Sequence, residues 1–420
     1  MSDSFKAFNF HPLIVRAIED SGFTKPTPIQ VKAIPLVRDG HDLLAAAQTG
    51  TGKTAAFVLP LLQDIAENPT KYQKKSARVL ILTPTRELAA QVLETIDQLG
   101  AHMNIRSAVV FGGVGINPQK AAIAKGLDFL VATPGRLLDL MSQKMADLSQ
   151  THTLILDEAD RMLDMGFLPD LKRIVKALPQ DRQTLLFSAT FSPEIRKLAG
   201  DFLKEPRSVE IARNQDAASV HQTLYRVPKS EKHTALRDLI VDNGLDQVLV
   251  FTRTKYGADK LCRQLTKDGL KARAIHGDKS QAARTTALKE FKNHELPILV
   301  ATDIAARGLD IEKLPQVVNY ELPQQAEDYV HRIGRTGRAG ESGQAFSLVS
   351  SEELDRLKAI EKFIKKPLRL TDFPGMDYSK ENEPQQEPPK KKTIKRSSQK
   401  RRPAKNSRRF APRKSGKQQI

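Results

Sequence analysis

A short apolar run followed by a glycine-rich loop constrains the fold of this chain more than any other feature. The run Leu43–Ala46 precedes Ala47–Thr54, which reads AQTGTGKT, and helical sequence begins near Ala55. In such a loop, glycines let backbone amides approach phosphate, the lysine reaches the β- and γ-phosphates, and the final hydroxyl can ligate Mg²⁺. The order predicts a strand, a phosphate-binding loop (P-loop) and a helix, although Ala47 replaces the first glycine of the usual pattern.

The P-loop sequence therefore predicts most of the residues that bind a nucleotide. Its expected phosphate-binding residues are Gln48, Thr49, Gly50, Thr51, Gly52, Lys53 and Thr54. Among them, Lys53 is also a candidate catalytic residue and Thr54 a candidate ligand of Mg²⁺.

Apolar runs of four or five residues recur along the chain in two series. Those of the first series are rich in Leu, Ile and Val and lack two-residue alternation, as strands buried on both faces of a parallel sheet do. The first series is Leu43–Ala46, Val79–Leu82, Phe129–Ala132, Thr153–Leu156 and Thr184–Phe187. The second is Val248–Phe251, Lys271–Ile275, Ile298–Ala301, Val317–Tyr320 and Ala345–Val349. Intervening sequence, such as Glu87–Leu99, has helical spacing. The pattern predicts an α/β fold of two domains, each a parallel sheet flanked by helices.

Composition places the boundaries of these domains. Residues 212–219 (ARNQDAAS) are small and polar and are predicted to link a first domain, 32–211, to a second, 220–370. Residues 371–420 lose apolar periodicity and are predicted to be a disordered tail. Cys262 is the only cysteine among 420 residues, which excludes an intramolecular disulfide. Since no apolar run approaches the ~20 residues of a membrane span, a cytoplasmic protein with no membrane partner is expected.

A cluster of carboxylates follows the apolar run Thr153–Leu156. The sequence there is Asp157-Glu158-Ala159-Asp160. Next to a P-loop, Asp157 is expected to hold Mg²⁺ and Glu158 to activate the attacking water. Acidic residues also stabilise helix N-termini, and without the P-loop that capping role would be the better interpretation.

With these two motifs, further segments make the chain resemble the DEAD-box ATP-dependent RNA helicases of superfamily two. The similarity runs from Phe5 to about Leu368. The further segments are Gly22–Gln30, Pro84–Leu88, Gly112-Gly113, Thr133–Arg136, Ser188–Thr190, Val250–Thr254, Ala301–Asp310 and His331–Arg338. Within the family, the segments Gly112–Pro118, Asp157–Phe167 and Tyr320–Arg338 are most similar to the bacterial RhlE group. The resemblance implies two tandem RecA-like domains preceded by a Q-motif segment, residues 1–31.

The resemblance implies that the nucleotide is ATP. Gln30 is expected to read the adenine edge through its amide donor and acceptor, and Phe23 to stack on the base. A buried aromatic before a proline-rich turn is the alternative for Phe23. The resemblance also implies that Asp310 contacts the ribose of the nucleotide. Arg335 and Arg338 are expected to be catalytic by stabilising charge on the transferring phosphoryl group, with a surface cationic patch as the alternative.

The resemblance also implies RNA as the partner, held through its sugar-phosphate backbone. Arginines, hydroxyls and exposed amides contact phosphate without reading sequence. The residues expected at RNA are Pro84, Thr85, Arg86, Gly113, Thr133, Arg136, Arg253 and Thr302. Those expected to couple the nucleotide to RNA are Asp160, Ser188, Thr190 and His331. Helix caps and ion pairs are the alternatives for Arg86, Thr133 and Arg136, and strand-end capping for Ser188 and Thr190.

The division of parts between the domains predicts a mechanism. The first domain has the P-loop and carboxylates but no evident arginine finger, whereas the second has arginines but no phosphate loop. Hydrolysis is therefore expected to need closure of the domains, which RNA bound to both would favour. The expected function is RNA-stimulated ATP hydrolysis, with Mg²⁺, coupled to local unwinding of RNA duplexes or to RNA–protein remodelling. Ribosome assembly or an RNA-decay complex is the expected setting, and an ATP-gated RNA clamp with little unwinding is the alternative.

The tail carries most of the charge of the chain. From Lys390 to Ile420 there are 14 Lys and Arg and no acidic residue, against a net charge of +18 for all 420 residues. The tail is expected to add salt-sensitive, sequence-independent affinity for RNA, with a solubilising extension as the alternative.

Overall fold

The fold consists of two parallel β-sheets of seven strands each. The computed structural model describes residues 4–47, 50–69, 73–211, 220–306, 311, 314–337, 343–376 and 378. The strands of the first sheet are β1 (Leu43–Ala46), β2 (Ala77–Leu82), β3 (Ser107–Val110), β4 (Leu127–Ala132), β5 (Thr153–Leu156), β6 (Gln183–Ser188) and β7 (Arg207–Glu210). Those of the second are β8 (Val220–Arg226), β9 (Val248–Thr252), β10 (Ala272–Ile275), β11 (Ile298–Thr302), β12 (Gln316–Asn319), β13 (Gly343–Val349) and β14 (Leu370–Asp372).

Helices flank both sheets. Before and around the first sheet they are α1 (Pro12–Asp20), α2 (Pro28–Arg38), α3 (Lys53–Glu67), α4 (Arg86–Leu99), α5 (Ile116–Ala124), α6 (Pro134–Ser142), α7 (Ala159–Asp164), α8 (Leu168–Lys176) and α9 (Pro193–Phe202). Around the second they are α10 (Lys232–Asp242), α11 (Lys255–Lys267), α12 (Gln281–Lys292), α13 (Asp303–Ala306), α14 (Ala326–Ile333) and α15 (Leu354–Ile364). None of the helices in these described ranges is both long enough and apolar enough to cross a bilayer.

Both sheets follow one topology. The strand order is β3-β4-β2-β5-β6-β1-β7 in the first and β10-β11-β9-β12-β13-β8-β14 in the second. Renumbering β8–β14 from one gives the same order, so each sheet repeats the other. The predicted α/β class with two parallel sheets is confirmed.

The central strands of each sheet are buried on both faces, which explains their lack of alternation in sequence. In β2, Val79 and Ile81 enter the apolar core on one face, whereas Leu80 and Leu82 enter the core on the other. All four side chains are fully buried. A strand packed by helices on both sides needs an apolar residue at every position.

Four strands and one boundary were not predicted correctly from sequence. The missed strands are β3, β7, β8 and β14, and in β7 only one of four residues is buried, so its sequence carries little apolar signal. The predicted start of the tail at residue 371 needs correction, because Thr371 and Asp372 pair with β8 and Phe373 is buried. The Arg226 guanidinium lies 2.8 Å from the Asp372 carboxylate and holds this edge. The predicted linker, 212–219, lies outside the described residues.

Candidate active site

The strand order brings three predicted elements together at one end of the first sheet. β6 lies between β5 and β1, and Ala46 at the end of β1 is paired with Ser188 at the end of β6. The P-loop, the Asp157–Asp160 segment and the Ser188–Thr190 segment follow β1, β5 and β6. Their side chains therefore project from neighbouring strand ends, where parallel sheets bind ligands.

The P-loop depends on glycine for its backbone conformation. Gly50 and Gly52 have φ values of 80° and 86°, in the left-handed region, and Gly52 is the N-cap of α3. A Cβ on Gly52 would lie 2.5 Å from Gln30 Nε2 and 3.1 Å from Thr27 Oγ1. Gly52 is therefore required both for the turn and for close approach of α2. The predicted residues Gln48 and Thr49 lie outside the described residues.

Two buried charged atoms beside the P-loop lack hydrogen-bond partners. They are Lys53 Nζ and Asp157 Oδ1, and within the described ranges neither accepts or donates a hydrogen bond. Lys53 is 7% exposed and Asp157 is 2% exposed. Burial raises the pKa of Asp157 to about 6, and the positive charge of Lys53 opposes that rise. Such orphaned groups fit an anionic phosphate at the ammonium and a hard cation such as Mg²⁺ at the carboxylate.

Glu158 is held by a neighbour that the sequence reasoning did not select. Its backbone is left-handed, with φ 55° and ψ 52°, a conformation that costs free energy in a residue other than glycine. Its carboxylate accepts a hydrogen bond from Arg161 Nη1, and the two side chains are only 8% and 9% exposed. The three-residue spacing on α7 was the available signal, since side chains at i and i+3 are neighbours on a helix.

Asp160 contacts the Ser188–Thr190 segment through the backbone. Asp160 Oδ2 accepts a 3.0 Å hydrogen bond from the amide of Ala189. The Ser188 hydroxyl donates to the Thr190 carbonyl at 2.9 Å and accepts from the Thr190 amide at 3.2 Å. The Ser188–Thr190 segment is therefore a tight turn, and its backbone is tied to the carboxylate of Asp160.

Gln30 contacts the P-loop, and Phe23 lies in the turn between α1 and α2. Gln30 Nε2 donates to the Gly52 carbonyl at 3.1 Å, and Gln30 Oε1 accepts from the Thr27 amide at 2.9 Å as part of a capping box. After these two bonds are made, the side-chain amide of Gln30 still has one N–H and one oxygen lone pair for a ligand. Phe23 is 36% exposed and stacks on Phe5, with ring centroids 6.4 Å apart, so it is not a buried core residue.

Five of the six predicted RNA-binding residues of the first domain line one cavity of about 470 Å³, and Gly113 is not among its lining residues. Residues from three separate loops meet there: Pro84, Thr85, Arg86, Gly112, Thr133, Gly135 and Arg136. The loops follow β2, β3 and β4, which form the other half of the sheet. Gly113 has φ 79°, and a Cβ on it would lie 2.0 Å from Arg86 Nη1, so this glycine makes room for the arginine. Thr85 also caps α4, and Arg136 Nη2 donates to the Val114 carbonyl, so both residues make structural bonds, and their role at RNA stays a prediction.

A buried ion pair at this cavity joins the two domains. Arg284 Nη2 of α12 lies 2.8 Å from Glu87 Oε2 of α4, and both side chains are less than 9% exposed. Gln281 Nε2 donates to the other oxygen of Glu87 at 2.8 Å. None of these three residues was selected from the sequence, because their contact depends on the placement of one sheet against the other.

A larger cleft, of about 1050 Å³, is lined by both domains. From the first domain come Lys53, Glu158, Asp160 and Arg161, and from the second come Arg253, Thr302 and His331. Arg253 is anchored by Glu321, whose Oε1 lies 3.0 Å from Arg253 Nη2. Predicted nucleotide, coupling and RNA residues from distant parts of the chain therefore share one space, which we call the interdomain cleft.

The arginines of the His331–Arg338 segment differ in their surroundings. Arg332 was not selected, and it is buried, bonded to Asp303 at 2.6 and 2.8 Å and lying 4.9 Å above the Phe251 ring. Arg335 is 4% exposed and lies beside Arg332, Asp303 and Asp328. Arg338 and Asp310 lie outside the described residues.

The geometry by itself defines a class of protein. Two RecA-like sheets, a P-loop on one and a cleft shared with the other, define a tandem-domain nucleoside triphosphatase. Residues 27–198 match the profile of the DEAD/DEAH box helicases, and residues 231–340 match that of the helicase conserved C-terminal domain. The chain belongs to the DEAD-box family of ATP-dependent RNA helicases.

Individual relatives agree with this family. The chain is 42% identical to the ATP-dependent RNA helicase CshA of Listeria monocytogenes, over 89% of this chain and 71% of CshA. It is 42% identical to DEAD-box ATP-dependent RNA helicase 30 of Arabidopsis thaliana, over 86% of this chain and 61% of that relative. The solved structure of S. cerevisiae Dbp5 bound to RNA and ADP BeF3 matches with a TM-score of 0.77 at 32% identity, over 88% of this chain and 95% of that one. The placement in the RhlE group stays a prediction.

Proposed function

We propose that this chain binds ATP and Mg²⁺ on its first domain, binds RNA across both domains, and couples hydrolysis to local opening of RNA duplexes. The observation that carries the proposal is the interdomain cleft, which unites Lys53 and Glu158 with Arg253, Thr302 and His331. A structure of the relative Dbp5 contains RNA together with ADP BeF3, which supports the same pair of ligands here.

Two buried charged atoms without partners support the proposal that the nucleotide binds the first domain. Lys53 Nζ is a buried donor without a partner in the described ranges and suits the β- and γ-phosphates of ATP. Thr54 and Asp157 would hold Mg²⁺, which when bound supplies positive charge that neutralises the phosphate oxygens. Gln30 and Phe23, with Asp310 on the second domain, are proposed to bind the adenosine part.

Hydrolysis is assigned to groups from both domains. Glu158 would accept a proton from the attacking water, while Arg161 compensates the buried charge of its carboxylate. Arg335 and Arg338 are proposed to stabilise negative charge on the transferring phosphoryl group. Because the first group lies on one domain and the second on the other, turnover requires the domains to be together.

RNA is assigned to the cavity formed by the loops after β2, β3 and β4, together with Arg253 and Thr302. Arginine and hydroxyl groups there recognise phosphate and sugar, which predicts binding with little sequence preference. Ligands that bind both domains favour the closed arrangement, so ATP and RNA increase each other's affinity by the same factor. Asp160, Ser188, Thr190 and His331 are proposed to link the two sites.

The test replaces Glu158 with glutamine. Glu158→Gln keeps the shape of the side chain but removes the base, so we expect ATP turnover to fall about 100-fold or more while ATP and RNA still bind. The matched control is Glu94→Gln, which changes an exposed glutamate on α4 of the same domain and should turn over ATP normally. Normal turnover by Glu158→Gln would remove Glu158 from its role. A strand-displacement assay on the unmodified chain separates unwinding from clamping of RNA.

A further inference from the structure

The outer face of α11 carries an exposed aromatic residue followed by a line of cations. Tyr256 is 73% exposed, more than any other exposed large apolar or aromatic side chain of the described residues. Lys260, Arg263 and Lys267 are also exposed. Spacings of four, three and four residues place all four side chains on one side of the helix. We call this set the α11 ridge.

The cations of the α11 ridge are not neutralised by the protein. Within the described ranges, Lys260, Arg263 and Lys267 form no ion pair or side-chain hydrogen bond. Neighbouring cations at the same end of the domain are paired: Lys255 lies 2.6 Å from Asp278 and Lys229 lies 2.8 Å from Glu352. The ridge therefore presents three positive charges that solvent or an anionic ligand must balance.

The acidic residues on and at the end of α11 form ion pairs with residues outside the ridge. Asp259 lies 2.8 Å from Lys279 and 3.1 Å from His276, and its pKa is lowered by these hydrogen bonds and charges against the effect of burial. Asp268, which caps the helix, lies 2.9 Å from His233. Positive and negative side chains of α11 thus lie on different sides of the helix. The electrostatic potential along the ridge is therefore positive.

The ridge begins at the interdomain cleft. Tyr256 lines that cleft, and it also lines a neighbouring groove of about 320 Å³ in which Lys260 lies. From Tyr256 to Lys267 the helix rises about 16 Å, so the ridge extends the cleft by that length across the outside of the second domain.

We propose that single-stranded RNA leaving the interdomain cleft continues along the α11 ridge. One base stacks on Tyr256, and the backbone phosphates that follow lie against Lys260, Arg263 and Lys267. Aromatic stacking together with a cationic track is how proteins bind single strands without reading sequence. The inference rests on the proposed binding of RNA across both domains, and it adds a second contact region that only a longer strand reaches.

The experiment measures binding of fluorescent oligouridylates of about 4 to 16 nucleotides to the full-length chain saturated with ADP and beryllium fluoride. The variants are Tyr256→Ala and the triple change Lys260→Ala/Arg263→Ala/Lys267→Ala. We expect long oligonucleotides to bind Tyr256→Ala about fivefold more weakly or worse, and Tyr256→Phe normally, since the ring makes the stack. For the triple variant bound to long oligonucleotides, the slope of log K against the logarithm of salt concentration should become shallower by about 2. This is the change expected when three phosphate contacts with a single strand are lost. Short oligonucleotides should bind all variants alike.

The matched control removes three positive charges from another helix of the same domain. Lys358→Ala/Lys362→Ala/Lys366→Ala changes α15 and the residues just after it, which pack on the opposite face of the second sheet from α11. This variant should bind both lengths normally. Equal weakening in the control, or losses for the ridge variants that do not depend on oligonucleotide length, would overturn the inference. The absence of short-oligonucleotide binding to the unmodified chain would instead refute the RNA site proposed above, which spans both domains.

Discussion

Replacing Arg284 with alanine should separate the cost of domain closure from the cost of unfolding. Arg284 and Glu87 form a buried pair at 2.8 Å between α12 and α4, with side chains 8% and 7% exposed. Removing one partner of a buried pair typically costs about 3–5 kcal/mol, because the remaining charge stays desolvated. Here the two residues lie on different domains, so Glu87 can regain water when the domains part. The cost therefore falls on the closed arrangement.

The expected magnitude follows from that argument. A loss of about 3 kcal/mol from the closed arrangement corresponds to a change of about 100-fold in the equilibrium between closed and separated domains. We expect Arg284→Ala to need about 100-fold more RNA for half-maximal stimulation of ATP turnover. The midpoint of thermal unfolding should move little, because each sheet keeps its own core.

A double-mutant cycle supplies the refutation. Glu87→Ala and Arg284→Ala together should cost less than the sum of the two single changes, since either change alone already breaks the pair. The matched control is Arg273→Ala, which removes an exposed pair with Glu290 at 2.7 Å and should change the RNA requirement by fivefold at most. Strictly additive effects of Glu87→Ala and Arg284→Ala, or an Arg284→Ala chain that needs no extra RNA, would refute the interdomain role of this pair.

Two further predictions concern stability. Because burial raises the pKa of Asp157 from 3.8 to about 6, the folded chain holds this proton more tightly than the unfolded chain, and stability falls as pH rises from about 4 to 6. Asp157→Asn should therefore raise the free energy of unfolding of the nucleotide-free chain at pH 7.5, by up to about 3 kcal/mol, and leave it unchanged at pH 4. Urea unfolding at the two pH values measures the difference, and an equal gain at both would contradict this account of Asp157. Glu353→Ala should destabilise the second domain by about 3–5 kcal/mol in urea unfolding, because it leaves the Lys232 ammonium buried without its carboxylate. Lys229→Ala, which breaks an exposed pair with Glu352, is the control and should cost less than about 1 kcal/mol.

Local sequence was sufficient to predict the elements that carry the chemistry. Short apolar runs marked ten of the strands, and most of these runs lack alternation because a strand covered on both faces is apolar at nearly every position. The P-loop and the Asp157–Asp160 segment were found because their glycines, lysine and carboxylates act within a few residues of one another. Weakly apolar edge strands such as β7 were missed, since only Val209 in it is buried.

The amino-acid sequence by itself thus determined which loop follows which strand. Only the tertiary structure decided which of these loops lie next to one another. The order β3-β4-β2-β5-β6-β1-β7 puts the loops after β1, β6 and β5 in one half of the sheet and those after β2, β4 and β3 in the other. Contacts such as Glu87–Arg284 join residues 197 positions apart and leave no local pattern. The physical reason is that periodicity reports how a segment is buried, whereas strand order and domain contact depend on packing free energy summed over the whole molecule.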